Sequence, residues 1–472
     1  MPEQFDVVVI GGGTAGLVTA SGCARLGRKV ALIEREKLGG DCLWTGCVPT
    51  KALVASAKLV HQMHHADAFG IEPHEPRVTP KSIMDSMRTA RRAIEPHDDP
   101  EKFRKLGIDV IEGDARLVSR SEVNVAGRRL AAKDIVIATG SRTAVPPIDG
   151  LADAGFLDHV SFLAQDAFPR SLVILGGGAI GIEFAQIFRR FGCEVVVVEM
   201  GDQILNKEDA DVIEAVRQIL AEERIEIRTG WAAKGVRVAG GKKHVRIESA
   251  GGETREIAVD EIFVASGRRG NTENLGLDVA GVKLNGSYVA VDKYLATSVP
   301  RIWACGDVHG GMQFTHVAER EAWALVRNML FPGRKAVDYA HMPWAIYTDP
   351  EIAHIGMTEA EANGRTVRTY KLPMADVDRA VVERTTRGFL KIVCDAKGRI
   401  LGAHALCANA STLITPIVLA RRKGMKIGQL LQLVTPYPSL ADALHTLAGL
   451  SYQGVMKGAI GAFARRIAAW SQ

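Results

Sequence analysis

The chain has 472 residues, which predicts about three domains at the usual ~150 residues per domain. Its composition, 47% apolar and 24% charged, is that of an ordinary globular protein, and a net charge of +5 without runs of like charge argues against nucleic-acid binding. No apolar run approaches the ~18–20 residues of a membrane span, and the N-terminus shows no export signal. We therefore expect a cytoplasmic protein without nucleic-acid or membrane partners.

The first predicted element is a strand-turn-helix-strand unit at the N-terminus. Its parts are the apolar strand at residues 7–10, the turn glycines Gly11, Gly13 and Gly16, a helical stretch to residue 27, the apolar strand at 30–33 and the carboxylate Glu34. The first glycine permits a tight turn, the second lets the backbone approach a pyrophosphate, and the third allows close packing of helix on strand. The helix N-terminus suits phosphates and the carboxylate suits ribose hydroxyls, so we predict a dinucleotide site.

Two cysteines, Cys42 and Cys47, follow this unit in a Gly-rich segment and are separated by four residues. The pair could close a small disulfide, with Gly46 easing the tight backbone. Pro49 suits the first turn of a helix, which places Cys47 near a helix N-terminus, where a thiol pKa is lowered.

A zinc half-site is the alternative at these cysteines, and it would need further ligands at suitable spacing. His61, His64 and His65 follow on a polar stretch that favours solvated surface, so we predict no metal site. The other five cysteines are expected to pack in hydrophobic cores as inert thiols. They are Cys23, Cys193, Cys305, Cys394 and Cys407.

The Gly-rich unit recurs in the middle of the chain, after an apolar strand at residues 172–175. Gly176, Gly178 and Gly181 form the second turn, and Glu199 ends the second strand at 195–198. In both copies 23 positions separate the first glycine from the carboxylate. One such turn alone is weak evidence, but two copies between apolar strands and carboxylates indicate two dinucleotide sites.

Three further segments combine an apolar strand with a turn, at residues 135–140, 262–268 and 302–307. After about residue 345 the pattern changes to alternating strands, such as 389–393, followed by a helix-rich stretch at 410–432. This shift in composition predicts a separate C-terminal domain.

With these motifs the chain resembles the FAD-dependent pyridine nucleotide-disulfide oxidoreductases, the family of dihydrolipoamide dehydrogenase, glutathione reductase and mercuric reductase. The resemblance covers essentially all 472 residues, including the segments 347–351 and 356–359, which look like the family's dimerisation domain. It implies an α/β fold with two Rossmann-like dinucleotide-binding domains, glutathione reductase-like, plus an α+β C-terminal dimerisation domain. The implied division is FAD-binding at 1–150, NAD-binding at 151–270, FAD-binding and central at 271–345, and dimerisation at 346–472.

The resemblance also implies an electron path from NAD(P)H through FAD to the disulfide and then to substrate. Cys47 would face the flavin as the charge-transfer thiolate, Cys42 would be the interchange thiol, and Lys51 and Glu183 match a family ion pair beside the flavin. The residues implied for FAD are Gly11, Gly13, Gly16, Glu34, Gly40, Lys51, Thr139, Gly140 and Asp307. Those implied for NAD are Gly176, Gly178, Gly181, Glu199 and Gly267.

NADH is the predicted nicotinamide. A carboxylate such as Glu199 bonds free ribose hydroxyls and repels a 2′-phosphate. NADP-preferring relatives carry basic residues just beyond this position, whereas Met200, Gly201 and Asp202 follow here.

The acceptor end departs from the family pattern. Relatives that act on dithiols or disulfides use a His-Pro-Thr motif followed by an acid, supplied by the partner subunit of a homodimer, whereas Tyr437 and Asp442 occupy those positions here. A phenol with a pKa of ~10 is a poorer base than an imidazole near ~6.5, which argues against dihydrolipoamide chemistry. His445 could substitute or be an ordinary helix residue.

The acceptor is expected to be a small molecule or a protein thiol, of disulfide type or a soft electrophile. Tyrosine at this position looks like mercuric reductase, but no cysteine follows Cys407 to capture the metal. A quinone reductase and a non-catalytic redox sensor stay open as alternatives. An apolar stripe at 455–470 predicts a tail helix that either touches a membrane or quinone or docks on protein.

Overall fold

The computed structural model of the protein describes residues 1–457, with side chains to residue 452. The strands are β1 (Glu3–Ile10), β2 (Val30–Glu34), β3 (Ile108–Glu112), β4 (Arg116–Leu117), β5 (Glu122–Val125), β6 (Arg128–Ile137), β7 (Ser141–Thr143), β8 (Ser171–Leu175), β9 (Glu194–Glu199), β10 (Glu226–Thr229), β11 (Trp231–Ala239), β12 (Lys242–Ser249), β13 (Thr254–Val259), β14 (Glu261–Val264), β15 (Arg268–Gly270), β16 (Leu284–Asn285), β17 (Tyr288–Val289), β18 (Ile302–Ala304), β19 (Trp344–Ile346), β20 (Glu351–Gly356), β21 (Val367–Pro373), β22 (Phe389–Asp395) and β23 (Ile400–Cys407).

The α-helices lie between groups of these strands or after the last of them along the chain. They are α1 (Thr14–Arg25), α2 (Gly40–Trp44), α3 (Cys47–His64), α4 (Pro80–Ile94), α5 (Pro100–Arg104), α6 (Leu151–Ala154), α7 (His159–Leu163), α8 (Ala179–Arg190), α9 (Ala210–Glu222), α10 (Leu277–Ala280), α11 (Thr315–Leu330), α12 (Asp378–Val382), α13 (Ala410–Leu413), α14 (Thr415–Arg422) and α15 (Asp442–Lys457).

The chain forms two compact units, each assembled from separate segments. The first comprises Met1–Ser56, Arg77–Gly176 and Ala232–Val337, and the second comprises Ala57–Pro76, Gly177–Trp231 and the described residues from 338 onwards. The four-part domain division expected from the sequence stays a prediction.

A seven-stranded sheet organises the first unit, in the order β3-β2-β1-β6-β5-β4, with β18 also pairing with β6. The central strands are parallel, and Val8 of β1 is in register with Ala31 of β2 and Ile135 of β6. Because successive side chains of a strand point to opposite faces of the sheet, β1 contributes to two hydrophobic clusters. Val8 belongs to the cluster on one face, and Val7 and Val9 belong to the cluster on the other. Burial on both faces explains the continuous apolar run that predicts this strand.

The second Gly-rich region also follows the predicted strand pattern. In the first unit β8 pairs in parallel with β14, with Val173 opposite Ile262. In the second unit β9 pairs in parallel with β10, with Glu199 opposite Thr229. The strands predicted at 172–175, 195–198, 262–264 and 302–304 are all present.

A five-stranded sheet, in the order β19-β20-β23-β22-β21, lies in the second unit, and its strand pairs are antiparallel. One face carries a hydrophobic cluster that includes Ala353, Ile355, Ala403 and Ala405, against which residues of α13 to α15 pack. The strand predicted at 389–393 is β22, and the helix-rich stretch at 410–432 contains α13, α14 and a 3₁₀ turn at Ile427–Gln432.

Among residues 1–457 no helix has the length and apolarity to cross a membrane. The predicted tail stripe includes Val455, of which only the helical backbone is described. Its other members, Ile460, Phe463, Ile467 and Trp470, lie outside the described residues.

Candidate active site

The first Gly-rich turn joins β1 to α1 in a conformation that requires glycine. Gly11 has φ +107°, and a Cβ there would lie 2.3 Å from the carbonyl oxygen of Ala138. A Cβ on Gly16 would lie 1.8 Å from the carbonyl oxygen of Gly11, so α1 approaches the turn as closely as backbone allows. A Cβ on Gly40 would lie 2.7 Å from the Cα of Gly13, which brings the start of α2 against the same turn. These contacts leave a backbone surface suited to a pyrophosphate.

Glu34, at the end of β2, accepts hydrogen bonds from the backbone N–H groups of Gly12 (2.6 Å) and Glu36 (2.9 Å). Each carboxylate oxygen keeps a lone pair for a further donor. Cavities of about 570 and 510 Å³ both reach Glu34, and Gly11 and Thr139 line the second. The close-packed glycines, the carboxylate and these cavities together fit the adenosine and pyrophosphate of FAD.

Thr139 and Gly140 follow the central strand β6 of the same sheet. Thr139 exchanges hydrogen bonds with Asn271: its hydroxyl donates to the carbonyl oxygen of Asn271 at 2.7 Å, and its own carbonyl accepts from the Asn271 amide at 2.9 Å. The carbonyl oxygen of Gly140 accepts from the backbone N–H of Asn271 at 2.9 Å. Asn271 thus holds the turn after β6, and sequence reasoning missed it because 131 positions or more separate it from these residues.

The second Gly-rich turn repeats the first in atomic detail. Gly176 has φ +116°, and a Cβ there would lie 2.4 Å from the carbonyl oxygen of Ala265. Glu199 accepts from the backbone N–H groups of Gly177 and Gly201, both at 2.7 Å. Gly178 caps the N-terminus of α8 with open space at its Cβ position. Of the other residues predicted for NAD, Gly181 is buried in α8 and Gly267 has φ +120°.

The two cysteines lie on neighbouring short elements, Cys42 in α2 and Cys47 at the first position of α3. Their side chains are neighbours, joined by a hydrogen bond from Cys42 to Cys47. The Cys47 Sγ atom also lies 3.2 Å from the hydroxyl of Thr315. A Cβ on Gly46 would lie 2.9 Å from the carbonyl oxygen of Asp41. The tight backbone between the two cysteines therefore favours glycine at this position, as expected. The other five cysteines are buried, as predicted.

The two thiols differ in acidity. The hydrogen bond from Cys42 lowers the pKa of Cys47 to about 6 against the opposing effect of burial, helped by the hydroxyl of Thr315 and the charge of Lys51. The same hydrogen bond, with burial, raises the pKa of Cys42 far above its usual range. In the reduced pair Cys47 is therefore the thiolate and Cys42 the thiol at neutral pH.

Alkylation of the reduced protein tests this division. The rate at which iodoacetamide modifies Cys47 is expected to rise through a midpoint near pH 6, because the thiolate is the nucleophile. Peptide mass spectrometry would assign the modified residue across pH 4 to 9. Cys23, whose pKa burial raises to about 12, is the internal control and should stay unmodified. A midpoint near pH 8.5 for Cys47 would contradict the assignment.

A polar cluster beside the cysteines was not anticipated from the sequence. Arg268 donates to Asp41 (2.6 Å) and to Ser141 (2.7 Å), and Ser141 donates to Asp307 at 2.8 Å. His159 is buried with its Nε2 atom 3.3 Å from Asp41. Although burial opposes ionisation, the hydrogen bond from His159 and the charge of Arg268 hold the pKa of Asp41 well below its usual range.

Asp307 has the opposite tendency in the same cluster, because burial raises its pKa against the nearby charge of Arg268. In the sequence, the only hint of this cluster was that Asp41 directly precedes the predicted redox residue Cys42 and that Arg268 directly follows the predicted NAD-binding residue Gly267. The contacts themselves join residues more than 100 positions apart, and no local pattern signals them.

Lys51 and Glu183 occupy different compact units, and their predicted ion pair stays a prediction. Lys51 acts electrostatically on Cys47, since its charge contributes to the lowered pKa of that thiol. Glu183 is buried in α8 and accepts a hydrogen bond from the backbone N–H of Tyr347 at 2.8 Å.

Tyr437 and Asp442 do not pair with each other within the chain. The Tyr437 hydroxyl donates to Asp378 at 2.8 Å, and this hydrogen bond raises the pKa of the exposed phenol. Asp442 accepts from the hydroxyl of Thr435 and from the backbone N–H of Ser439 (2.9 Å) at the start of α15. His445 is exposed on α15. Within the described residues, the Tyr437 phenol is therefore a poor proton acceptor near neutral pH, and Asp442 holds the start of α15 through its two hydrogen bonds.

Two dinucleotide-binding turns and a hydrogen-bonded cysteine pair with one acidic thiol define a nicotinamide-linked disulfide oxidoreductase. Residues 5–322 match the pyridine nucleotide-disulphide oxidoreductase family model, and residues 342–448 match the dimerisation domain of the same family. The chain belongs to this family, an NAD(P)H-linked group of FAD-dependent enzymes. The resemblance expected from the sequence is thereby confirmed, together with the fold class.

Several relatives match over nearly the whole chain. The dihydrolipoyl dehydrogenase of Rhizobium etli is 34% identical, with 94% of this chain and 97% of the relative covered. The mercuric reductase of Bacillus cereus is 32% identical, with 93% and 70% covered. Among solved structures, the HOCl-induced flavoprotein disulfide reductase RclA from Escherichia coli superposes with a TM-score of 0.84 at 30% identity, covering 94% of this chain and 99% of that one.

Proposed function

We propose that the protein is a homodimeric, NADH-dependent flavoprotein that reduces a thiophilic acceptor through a Cys42–Cys47 disulfide. The observation that carries the proposal is the neighbouring cysteine pair, with Cys42 in α2, Cys47 at the first position of α3, and the Cys47 Sγ atom 3.2 Å from the Thr315 hydroxyl. A hydride supplies two electrons and one proton. Reduction of a disulfide by one hydride therefore yields one thiol and one thiolate, and the acidities of this pair match that product.

FAD would be held by the first Gly-rich turn, with Glu34 on the adenosine ribose and the buried Asp307 on the ribityl chain. When bound, FAD supplies the two-electron transfer between nicotinamide and disulfide. The chain's own contribution is to keep Cys47 ionised through Cys42, Thr315 and Lys51. We extend the same proposal to the four-part domain division, since the family matches cover its dinucleotide-binding and dimerisation parts.

The preference for NADH rests on Glu199. One of its oxygens accepts from Gly177 in the second Gly-rich turn and the other from Gly201 just after β9, and a ribose bound at this turn would bring further donors. A 2′-phosphate at this carboxylate would bring like charges together, and the exposed Met200 that follows offers no compensating cation.

The acceptor is one that needs little help from a base. Tyr437, which would complete the partner subunit's active site in the homodimer, donates a hydrogen bond to Asp378, and this bond raises the pKa of the phenol. A dithiol substrate must lose protons, whereas an oxidised thiol species or a soft electrophile is attacked directly by a thiol of the enzyme. Two of the three relatives named above, a mercuric reductase and an HOCl-induced disulfide reductase, have names within this range of acceptors, whereas the dihydrolipoyl dehydrogenase does not.

A steady-state comparison of nucleotides and acceptors tests the proposal. With NADH, turnover with hypothiocyanous acid, Hg(II) or a low-molecular-weight disulfide is expected to exceed turnover in the dithiol direction, the NAD⁺-dependent oxidation of dihydrolipoamide, because only the dithiol must lose protons to a base. The kcat/KM for NADH should exceed that for NADPH by about tenfold or more, which corresponds to about 1.4 kcal/mol. Equal use of both nucleotides would contradict the role of Glu199. A turnover rate with quinones that exceeds the rate with every thiophilic acceptor would contradict the proposed acceptor class.

A further inference from the structure

A row of polar side chains crosses the five-stranded sheet of the second unit. Antiparallel register places His354 of β20 opposite Trp344 of β19 and opposite His404 of β23, and His404 opposite Lys391 of β22. His354 and His404 are buried, with exposed fractions of 1% and 0%. They lie on the face opposite the hydrophobic cluster, because Ala353, Ile355, Ala403 and Ala405 alternate with them along the strands.

Two carboxylates from the start of α9 meet the imidazoles in this row. Glu208 and Asp209, the latter being the N-cap residue of α9, are themselves buried. The Oε2 atom of Glu208 lies 3.2 Å from Nδ1 of His354 and 3.4 Å from Nε2 of His404. The Oδ2 atom of Asp209 lies 3.2 Å from Nδ1 of His404. The fourth imidazole nitrogen, Nε2 of His354, lies 3.1 Å from the carbonyl oxygen of Gly356.

All four imidazole nitrogens therefore face an oxygen, but two neutral rings carry only two N–H groups. Either tautomer of either ring leaves one nitrogen lone pair directed at an oxygen, and neither nitrogen of His404 makes a hydrogen bond of good geometry. Protonating one ring leaves the other with the same conflict. Protonating both would bring two positive charges together in a buried site where the ring centroids are 3.8 Å apart.

We propose that Glu208, His354 and His404 bind a divalent transition-metal ion of the Zn²⁺ type. The three candidate ligand atoms lie within 4.8 Å of one another. Metal–ligand bonds of about 2.0–2.1 Å at a tetrahedral angle put neighbouring ligand atoms about 3.3 Å apart, close to the separations from the Glu208 oxygen. Two imidazole nitrogens and a carboxylate oxygen form a ligand set that suits zinc and its neighbours rather than magnesium or calcium.

The surrounding groups fit the second shell of such a site. With Nδ1 of His354 and Nε2 of His404 on the metal, the protons go to the remaining nitrogens, which lie 3.1 Å from the Gly356 carbonyl oxygen and 3.2 Å from Asp209, and the donor conflict disappears. Metal-binding histidines commonly donate their second N–H to a carbonyl or carboxylate in this way. The other oxygen of Glu208 accepts from the indole N–H of Trp344 at 2.6 Å.

The metal would connect α9 to two strands of the sheet inside one compact unit, so its role is structural. The proposal is independent of the proposed redox activity, because none of these residues belongs to the cysteine pair or to the FAD-binding turn. It replaces the expectation from the sequence that the chain has no metal site.

Metal analysis of the full-length protein tests the proposal in a background without the redox thiols, which would otherwise bind soft metals. The Cys42→Ser/Cys47→Ser protein, produced in zinc-supplemented medium and passed through chelator, is expected to retain one zinc per chain. His354→Gln and His404→Gln are expected to lose it, and His341→Gln, a half-buried histidine of the same unit, should keep it. Magnesium and calcium should not replace the zinc.

X-ray absorption at the zinc edge provides a test that does not depend on the folding of the variants. The expected spectrum shows nitrogen and oxygen neighbours at about 2.0–2.1 Å with imidazole scattering. Zinc-free protein, retention of zinc in both histidine variants, or sulfur neighbours would each overturn the proposal. If the double serine variant is zinc-free while the unmodified protein still reduces its acceptors with NADH, the zinc proposal fails and the proposed function stands.

Discussion

Replacing Cys42 with serine is expected to abolish acceptor reduction while NADH still reduces the bound flavin. The serine can neither form the disulfide nor attack the acceptor, so electrons stop at the flavin. Removal of a covalent nucleophile typically lowers turnover by factors on the order of 10⁴ or more, and we expect at least that loss with thiophilic acceptors. Anaerobic titration should show uptake of two electrons by the variant, against more than two by the unmodified protein.

The same variant reports on the acidity of Cys47. The hydrogen bond from Cys42 is the largest influence that lowers the pKa of Cys47, and a serine hydroxyl at position 42 is a weaker acid with a shorter reach. The iodoacetamide midpoint of Cys47 is therefore expected to move upward from about pH 6 in Cys42→Ser, so less thiolate is present at neutral pH. Kinetics and alkylation thus examine the two cysteines separately.

Cys23→Ala is the matched control, since Cys23 lies in the same compact unit as a buried thiol with a pKa of about 12. Its turnover should stay within about a factor of two of the unmodified protein. Cys42→Ser protein that still reduced disulfides or hypothiocyanous acid at the normal rate would rule out interchange chemistry. The quinone reductase would then be the better description.

The parts of the site that follow from local sequence were predictable. Gly11 and Gly176 are needed because a Cβ at either position would collide with a backbone carbonyl just after the adjacent strand, that of Ala138 after β6 or that of Ala265 after β14. Such a requirement shows in sequence as a fixed spacing of glycines. Likewise, Pro49 predicted that Cys47 lies near a helix N-terminus, and α3 begins at Cys47.

The parts that depend on long-range register were not predictable. Tyr437 finds its partner in Asp378, 59 positions away, and nothing in the local pattern indicates that contact. The histidine row depends on which residues of β20 and β23 stand opposite each other. Alternation along one strand reveals a face, but the register of antiparallel strands far apart in sequence is set by the turns and packing of the whole sheet.

Lys391→Met is expected to lower the free energy of unfolding by about 3–5 kcal/mol, the usual cost of removing one partner of a buried ion pair. The side chain of Lys391 is 1% exposed, and its ammonium lies 2.8 Å from Asp209 and 2.5 Å from Asp211. Methionine keeps the volume but leaves the buried Asp209 without its cation. Denaturant unfolding followed by tryptophan fluorescence would measure the change.

Lys371→Ala is the matched control, because Lys371 pairs with the same Asp211 at 2.7 Å from a side chain that is 42% exposed. Solvent screens such a pair, so its loss should cost about 1 kcal/mol or less. Comparable stability of the two variants would show that water or a rearranged side chain neutralises Asp209. If the zinc site exists, Lys391→Met should also loosen the metal, since Asp209 would no longer be held by Lys391 against the His404 ring.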